Sequence, residues 1–148
     1  MTDQLHIRDY HPNDRDFVIA IMELNVPRYF AVSEVADLKD YLQHHIEKYF
    51  VVTLNDQIIG AGGINFENIG AIISWDFIDP AFQGRGIGQK LLQYRIGLLR
   101  ANPDIETITV RTSQLTYKFY EKNGFVVKRV VKDYWAEGFD LYGMVYEG

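Results

Sequence analysis

The sequence predicts an α/β fold, an α+β arrangement of one mixed sheet with helices, in the order β-α-α-β-β-β-α-β-α-β-β. Three observations lead there. The 148 residues contain no Ser/Gly/Pro-rich linker, low-complexity tract or repeat, so residues 1–148 read as one domain. Segments that alternate or are rich in β-branched residues are interleaved with segments of helical apolar period. In the middle, "DPAFQGRGIGQKLLQ" leads from a strand through a glycine turn straight into a leucine-rich helix.

The elements follow from local chemistry. "QLHIRDY" alternates Leu5 and Ile7 with polar residues, a first strand. In "HPNDRDFVIAIMELN", Pro12 suits a helix start and Phe17, Ile21 and Leu24 fall on one helical face. "SEVADLKDYLQHHIEK" predicts a second helix, with Ser33 as N-cap and Val35, Leu38, Leu42 and Ile46 as its stripe. Residues 49–54 form a strand, Asn55-Asp56 a tight turn, and Ile58 begins the partner strand. Gly60, Gly62 and Gly63 in that partner predict a bulge or a close backbone approach. After a turn at residues 68–70, "AIISWDFID" is a fourth strand. Alternation there places Ser74, Asp76 and Ile78 on one face and Ile73, Trp75 and Phe77 on the other. Ile87, Leu91, Leu92, Ile96 and Leu99 set the period of a long helix. "IETITVRT" is a strand, "QLTYKFYEKNGF" a short helix closed by Gly124, and "FVVKRVV" and "FDLYGMVYE" the last two strands.

Composition narrows the function. The chain is 47% hydrophobic and 14% aromatic, enough to pack a core and too apolar for disorder. No apolar run is long enough to span a bilayer, and the polar start "MTDQLHIRDYHPND" lacks the core of a secretory signal, so the expected location is cytoplasmic, with no membrane partner. The absence of cysteine excludes disulfides, thiolate nucleophiles and zinc–thiolate sites. A net charge of −5 argues against a nucleic-acid partner, which would need a basic surface, and suits a cationic substrate.

The glycine turn raises its own question. Gly84, Gly86 and Gly88 alternate at the mouth of a helix, where unpaired N–H groups and the positive end of the helix dipole converge. Removing the Cβ atoms lets an anion reach those donors, and Arg85 adds a cation. The same glycines could simply make a tight strand-to-helix connection. Two familiar phosphate loops do not fit. Lys90 is followed by Leu91 rather than Ser or Thr, and the G-x-G-x-G spacing lies well inside the chain rather than after an early strand.

With these residues in place, the whole chain resembles the GNAT superfamily of N-acetyltransferases. "IDPAFQGRGIGQKLL" is similar to the superfamily's V-x-P-x-x-[QR]-x-x-G-x-[GA] motif, with Gln83, Gly86 and Gly88 in its fixed places, and "TYKFYEKNGF" resembles its F-Y-E-K-x-G-F segment. The resemblance implies a GNAT-like acyl-CoA N-acyltransferase fold and acetyl-CoA as co-substrate. It implies direct transfer of acetyl from the thioester to a primary amine, on a small molecule or a peptide. The pyrophosphate would lie on Gln83, Gly84, Arg85, Gly86, Ile87 and Gly88. The pantetheine arm would pair with strand backbone at Asp76, Phe77 and Ile78. Tyr120 falls at the family's acid position; a phenol, with an ordinary pKa near 10, keeps a proton to give to a thiolate. Asp76, a carboxylate interrupting an apolar strand, is the candidate base; a water chain is the other route for that proton, and the competing reading makes Asp76 only a structural partner for Arg95 or Arg111. Ser113 stands where many relatives carry Asn against the pantetheine, and Thr116 where a small Ala is usual. A catalytically silent acyl-CoA-binding module is the alternative reading.

Acceptor recognition in such proteins comes from the segment between the first two helices and from the last strands. Here these supply Arg28, Tyr29 and Phe30, then Tyr134, Trp135, Glu137 and Asp140, an aromatic wall with carboxylates suited to an amine with apolar bulk. The same aromatics would suit a homodimer face. His44 and His45 read as a solvated helix face, and Glu67 and Asn68 as turn residues.

Overall fold

The structure is a computed structural model and describes residues 4–148. Its elements follow the predicted order: β1 (Leu5–Asp9), α1 (Arg15–Leu24), α2 (Glu34–Asp40), β2 (Lys48–Leu54), β3 (Gln57–Glu67), β4 (Gly70–Ile78), α3 (Ile87–Arg100), β5 (Thr107–Thr112), α4 (Tyr117–Lys122), β6 (Phe125–Ala136) and β7 (Phe139–Tyr146). The seven strands form one mixed sheet in the order β1-β2-β3-β4-β5-β7-β6. All neighbours are antiparallel except β4 and β5, which run parallel across the α3 connection. No helix among the described residues is long and apolar enough to cross a membrane.

Two cores cover the two faces. Leu91, Leu92, Ile96 and Leu99 of α3 pack with Tyr120 of α4 on Ile73, Ile108 and Val110. Val18 and Met22 of α1 pack with Leu38 of α2 on Val51, Ala61 and Phe77. The sheet is thus buried on both sides, which accounts for the nearly unbroken apolar runs in β2 and β3.

Two local expectations are corrected. In α1 only Ile21 of the expected stripe is buried; Phe17 and Leu24 are 63% and 58% exposed, and the buried face is Val18, Ile19, Ile21 and Met22. The run "FVIAIM" is apolar on every side, so its period could not choose a face, and packing against the sheet did. At the start of α2, Ser33 makes no side-chain cap; the Glu34 carboxylate reaches back and accepts the Ala31 N–H at 2.7 Å. After Asp40 the helix widens into a π turn over Tyr41–His45. His45 there meets Asp40 at 3.1 Å, exposed to solvent.

Candidate active site

The site begins as a break in the ladder between β3 and β4. The register shifts between Ala61 and Gly63, and opposite this bulge Trp75 takes a left-handed φ of 52°. That conformation is unfavourable for a bulky residue. It is held by the Tyr49 hydroxyl, which donates to the Trp75 carbonyl at 2.9 Å, and by the Phe30 ring stacked on the indole at 6.5 Å. Gly62 leaves the room beneath: a Cβ there would lie 2.4 Å from the Asp76 carboxylate and 2.9 Å from Arg95 Nη1.

The bulge overturns the simple alternation expected for β4. Trp75 and Phe77 do pack together on the α1–α2 side, but Ile73 joins Ile78 on the α3–α4 side, where Asp76 also points. An inserted residue shifts the phase of every side chain beyond it. The bulge also accompanies a splay in the sheet. β4 pairs with β5 only from Gly70 to Ile73, so residues 74–78 leave a backbone edge without a strand partner on that side. A cleft of about 860 Å³ opens between the diverging strands and runs through the sheet from one face to the other.

Asp76 and Tyr120, predicted separately from the sequence, are bonded to each other. The Tyr120 hydroxyl donates to Asp76 Oδ2 at 2.8 Å, and both residues line the cleft. Asp76 Oδ1 is paired with Arg95 Nη1, which also donates to the Gly63 carbonyl at 3.0 Å. Of the two arginines expected as partners for Asp76, Arg95 is the one. Its side chain is wholly buried under the sheet. Its position fits the buried face of α3, four residues after Leu91 and three after Leu92, so helical period alone marks it as an interior charge. Burial opposes the guanidinium charge, but Asp76 outweighs it and holds Arg95 above its ordinary range. Tyr120 is pushed well above an ordinary phenol, first by burial and then by the Asp76 charge, with Arg95 opposing.

A pH dependence follows. Tyr41, Tyr49 and Tyr120 all have raised values, chiefly through burial. In the unfolded chain tyrosines ionise near pH 10. Above that pH the unfolded state sheds protons that the folded state keeps, so stability is fully present below about pH 10 and falls as pH rises beyond it. Alkaline titration should show tyrosinate absorbance from these residues appearing together with loss of secondary structure. Their ionisation in a chain of intact circular dichroism would contradict this.

At the other end of β4 lies the glycine turn. Gly84 and Gly86 have φ of 79° and 77°, the left-handed region that glycine enters freely, and neither has any atom within 4 Å of where a Cβ would stand. The first backbone bond of α3 runs from Lys90 N–H to the Gly86 carbonyl, and no side chain caps the helix. Among the described residues the amides of Ile87, Gly88 and Gln89 begin the helix without acceptors, beside an exposed turn in which Gly84 and Gly86 carry no Cβ. The Gln83 amide turns back to Pro80 at 3.4 Å, and Arg85 lies over the Phe82 ring at 5.2 Å. Asn25, which nothing in the sequence marked, organises this end. Buried at the end of α1, it donates to the Ile21 and Ile78 carbonyls at 2.9 and 3.1 Å and accepts from Gln83 Nε2 at 3.3 Å. It ties helix, strand and turn together.

The remaining expected residues divide between the two mouths of the cleft. Phe77 is buried in the α1–α2 core and Ile78 lies against the α3 core, both beside the open edge of β4. Ser113 is buried, lines the cleft, and accepts the Leu115 N–H at 3.2 Å. Thr116 turns its hydroxyl to Thr112. On the α1–α2 side the expected Tyr29, Phe30 and Trp135 line the cleft, joined by Trp75 and Phe139, which were not expected there, whereas the expected Arg28 and Tyr134 do not line it. The expected carboxylates are not part of it. Glu137 does not line the cleft, and Asp140 spends an oxygen on the Asp133 N–H at 2.9 Å, where it shapes the β6–β7 hairpin.

A family profile described as "Acetyltransferase (GNAT) domain" matches residues 45–127. Among solved structures, the chain is similar to Ard1 from Thermoplasma volcanium at 21% identity and a TM-score of 0.80, covering 97% of this chain and 99% of that one. It is similar to an aminoglycoside 6'-N-acetyltransferase complexed with coenzyme A at 14% identity and a TM-score of 0.73, covering 95% of each chain. A third likeness is to spermidine N-acetyltransferase from Vibrio cholerae in complex with CoA and spermine, at 19% identity and a TM-score of 0.70, over 96% of this chain and 94% of that one. A comparison with curated proteins found no match.

Proposed function

The chain belongs to the GNAT acetyltransferase family, and on that premise we propose that it is an acetyl-CoA-dependent N-acetyltransferase acting on a primary amine, with Asp76 and Tyr120 as one proton-transfer unit. The observation that carries this reading is the bond between Tyr120 and Asp76 in a cleft whose far end is a Cβ-free cradle of unpaired amides. Acetyl-CoA, when bound, supplies an activated acetyl thioester. Residues 84–89 would hold its pyrophosphate through backbone N–H groups, with Arg85 as a nearby cation. The open edge of β4 offers its polar backbone groups to the pantetheine amides, beside Phe77, Ile78 and Ser113.

The dyad solves a problem of charge. Tyr120 gives its proton to the departing sulfur, which by itself would leave two anions, tyrosinate and Asp76, against the single Arg95 charge. Asp76 prevents this by taking a proton from the attacking amine, directly or through one water, and passing it along the existing bond to Tyr120. When the two protons move together, the buried unit of Arg95, Asp76 and Tyr120 is neutral before and after the transfer, and no net charge is left in a low-dielectric site. The raised tyrosine value keeps the proton in place until the sulfur demands it.

Titration of acetyl-CoA into the protein tests the cradle. Wild type should bind. Gly86→Glu should weaken binding by about 100-fold or more, because it sets a carboxylate where the phosphates would lie. Gly86→Asn tolerates the left-handed backbone and adds no charge, so it should bind better than the glutamate variant. Absence of binding by wild type would refute the proposed function.

A further inference from the structure

The half of the cleft that opens on the α1–α2 face is chemically unlike the half at the glycine turn. Phe30 and Trp75 form one wall, and Trp135 and Phe139 come from the other side. Its charged residues are Glu34 and Arg111; Asp76 lies where the two halves join, directed to the α3–α4 side, and Lys122, which also lines the cleft, ends α4 on that face. Both carboxylates are committed. Glu34 is 6% exposed and binds the Ala31 N–H, and Asp76 holds Arg95 and Tyr120. Among the described residues this mouth therefore has no free carboxylate to receive a second cationic group.

Arg111 is the reverse case. On β5 it points away from Ile108 and Val110, which enter the α3–α4 core. Its guanidinium lies over the rings of Tyr134 and Trp135, at 5.3 and 5.7 Å, and donates one hydrogen bond to the Tyr134 hydroxyl. The rings fix its plane without cancelling its charge. Trp135 is in turn fixed, its Nε1 donating to the Thr112 carbonyl at 3.1 Å. Gln114 clamps the hairpin behind it, donating to the Gly138 carbonyl at 2.6 Å and accepting from the Asp140 N–H at 2.8 Å. Among the described residues Arg111 has no acidic partner, and its Nε and Nη1 donors are unused by the protein. A positioned, uncompensated fork of this kind matches a planar carboxylate.

We propose that the acceptor is an amino acid with a large apolar side chain, its amine at Asp76, its side chain against Phe30 and Trp75, and its carboxylate on Arg111. The proposal rests on the acetyltransferase reading above. A polyamine fits poorly, since it would meet an unpaired cation and no free anion.

The test compares acetylation of phenylalanine, leucine and tryptophan with that of phenethylamine, isoamylamine and tryptamine, which lack only the carboxylate, and with spermidine. Wild type should show a kcat/KM for the amino acids about 10- to 100-fold above that of their carboxylate-free partners. In Arg111→Gln that ratio should fall close to one, and Arg111→Lys should keep part of it. Arg111 is exposed, and a thermal melt verifies that the variants fold. Preference of wild type for the simple amines or spermidine, an unchanged ratio in Arg111→Gln, or acetylation of none of the amino acids would each overturn the proposal. Acetyl-CoA titration, run beside the panel, separates the two failures. Binding with acetylation of a carboxylate-free amine would leave the acetyltransferase reading standing, whereas no binding would remove both.

Discussion

Tyr120→Phe is expected to lower kcat by about 100- to 10,000-fold while leaving acetyl-CoA affinity within about threefold of wild type. The phenylalanine ring keeps the edge-on contacts with Phe119 and Phe125, at 5.1 and 5.6 Å, so the packing of α4 should persist. Only the hydroxyl goes, and with it the bond to Asp76 Oδ2. That oxygen lies in the cleft where water can replace the phenol, so the stability cost should be about 1 kcal/mol. The sulfur then leaves without a proton donor, and Asp76 has no bonded partner through which to pass the proton it takes. Steady-state assay of thiol release, with acetyl-CoA titration on the same preparation, measures both quantities. Wild-type turnover in the variant would show that Tyr120 is a packed, hydrogen-bonded core residue and that the proton comes from elsewhere.

Arg95→Met should be the most destabilising single change among Arg95, Asp76 and Tyr120, at about 3–5 kcal/mol by denaturant unfolding. Methionine fills much of the volume, so the loss comes from electrostatics rather than from a cavity. Asp76, 16% exposed, would be left with a charge whose only remaining partner among the described residues is a neutral phenol. One term works the other way. Arg95 Nη2 is buried with no hydrogen-bond partner among the described residues, a desolvation cost that methionine does not carry, which favours the lower end of the range. The double variant Arg95→Met with Asp76→Asn should recover part of the loss, because both charges are gone together. Additive losses would mean that the two residues act independently and that the buried pair has no coupling to speak of. Both variants should also be slow enzymes, since Asp76 loses the partner that aims it at Tyr120 in the single variant and is itself replaced in the double.

Much of the fold was legible because it follows from short-range rules. Helical period marked α3, alternation and β-branched runs marked the strands, and Gly60, Gly62 and Gly63 announced a bulge that the β3–β4 register contains. The motif "QGRGIG" placed glycines at a helix start, where φ near 78° at Gly84 and Gly86 lies in the region that glycine enters most freely. The face of α1 was not legible, because an almost continuously apolar segment is equally hydrophobic in several directions and only the neighbouring sheet decides which side is dry. Asn25 gave no signal, since an asparagine near a helix end is ordinary and its two long-range hydrogen bonds, to Ile78 and Gln83, depend on where β4 ends.

The candidate site divides in the same way. From the order of residues came the element order, the glycine turn at a helix start and Asp76 as a residue of interest, and from the family resemblance came Tyr120. Tertiary structure decided that these two share a hydrogen bond, that Arg95 rather than Arg111 neutralises Asp76, and that Arg111, stacked on Tyr134 and Trp135, has no acidic partner among the described residues. The physical reason is the bulge. Alternation is a local rule that holds while a strand keeps its register, and a single left-handed residue at Trp75, stabilised by Tyr49 and Phe30 from distant segments, reverses it. Local sequence encodes torsional preference and period; which side chains then meet in the cleft is set by packing between segments far apart in the chain.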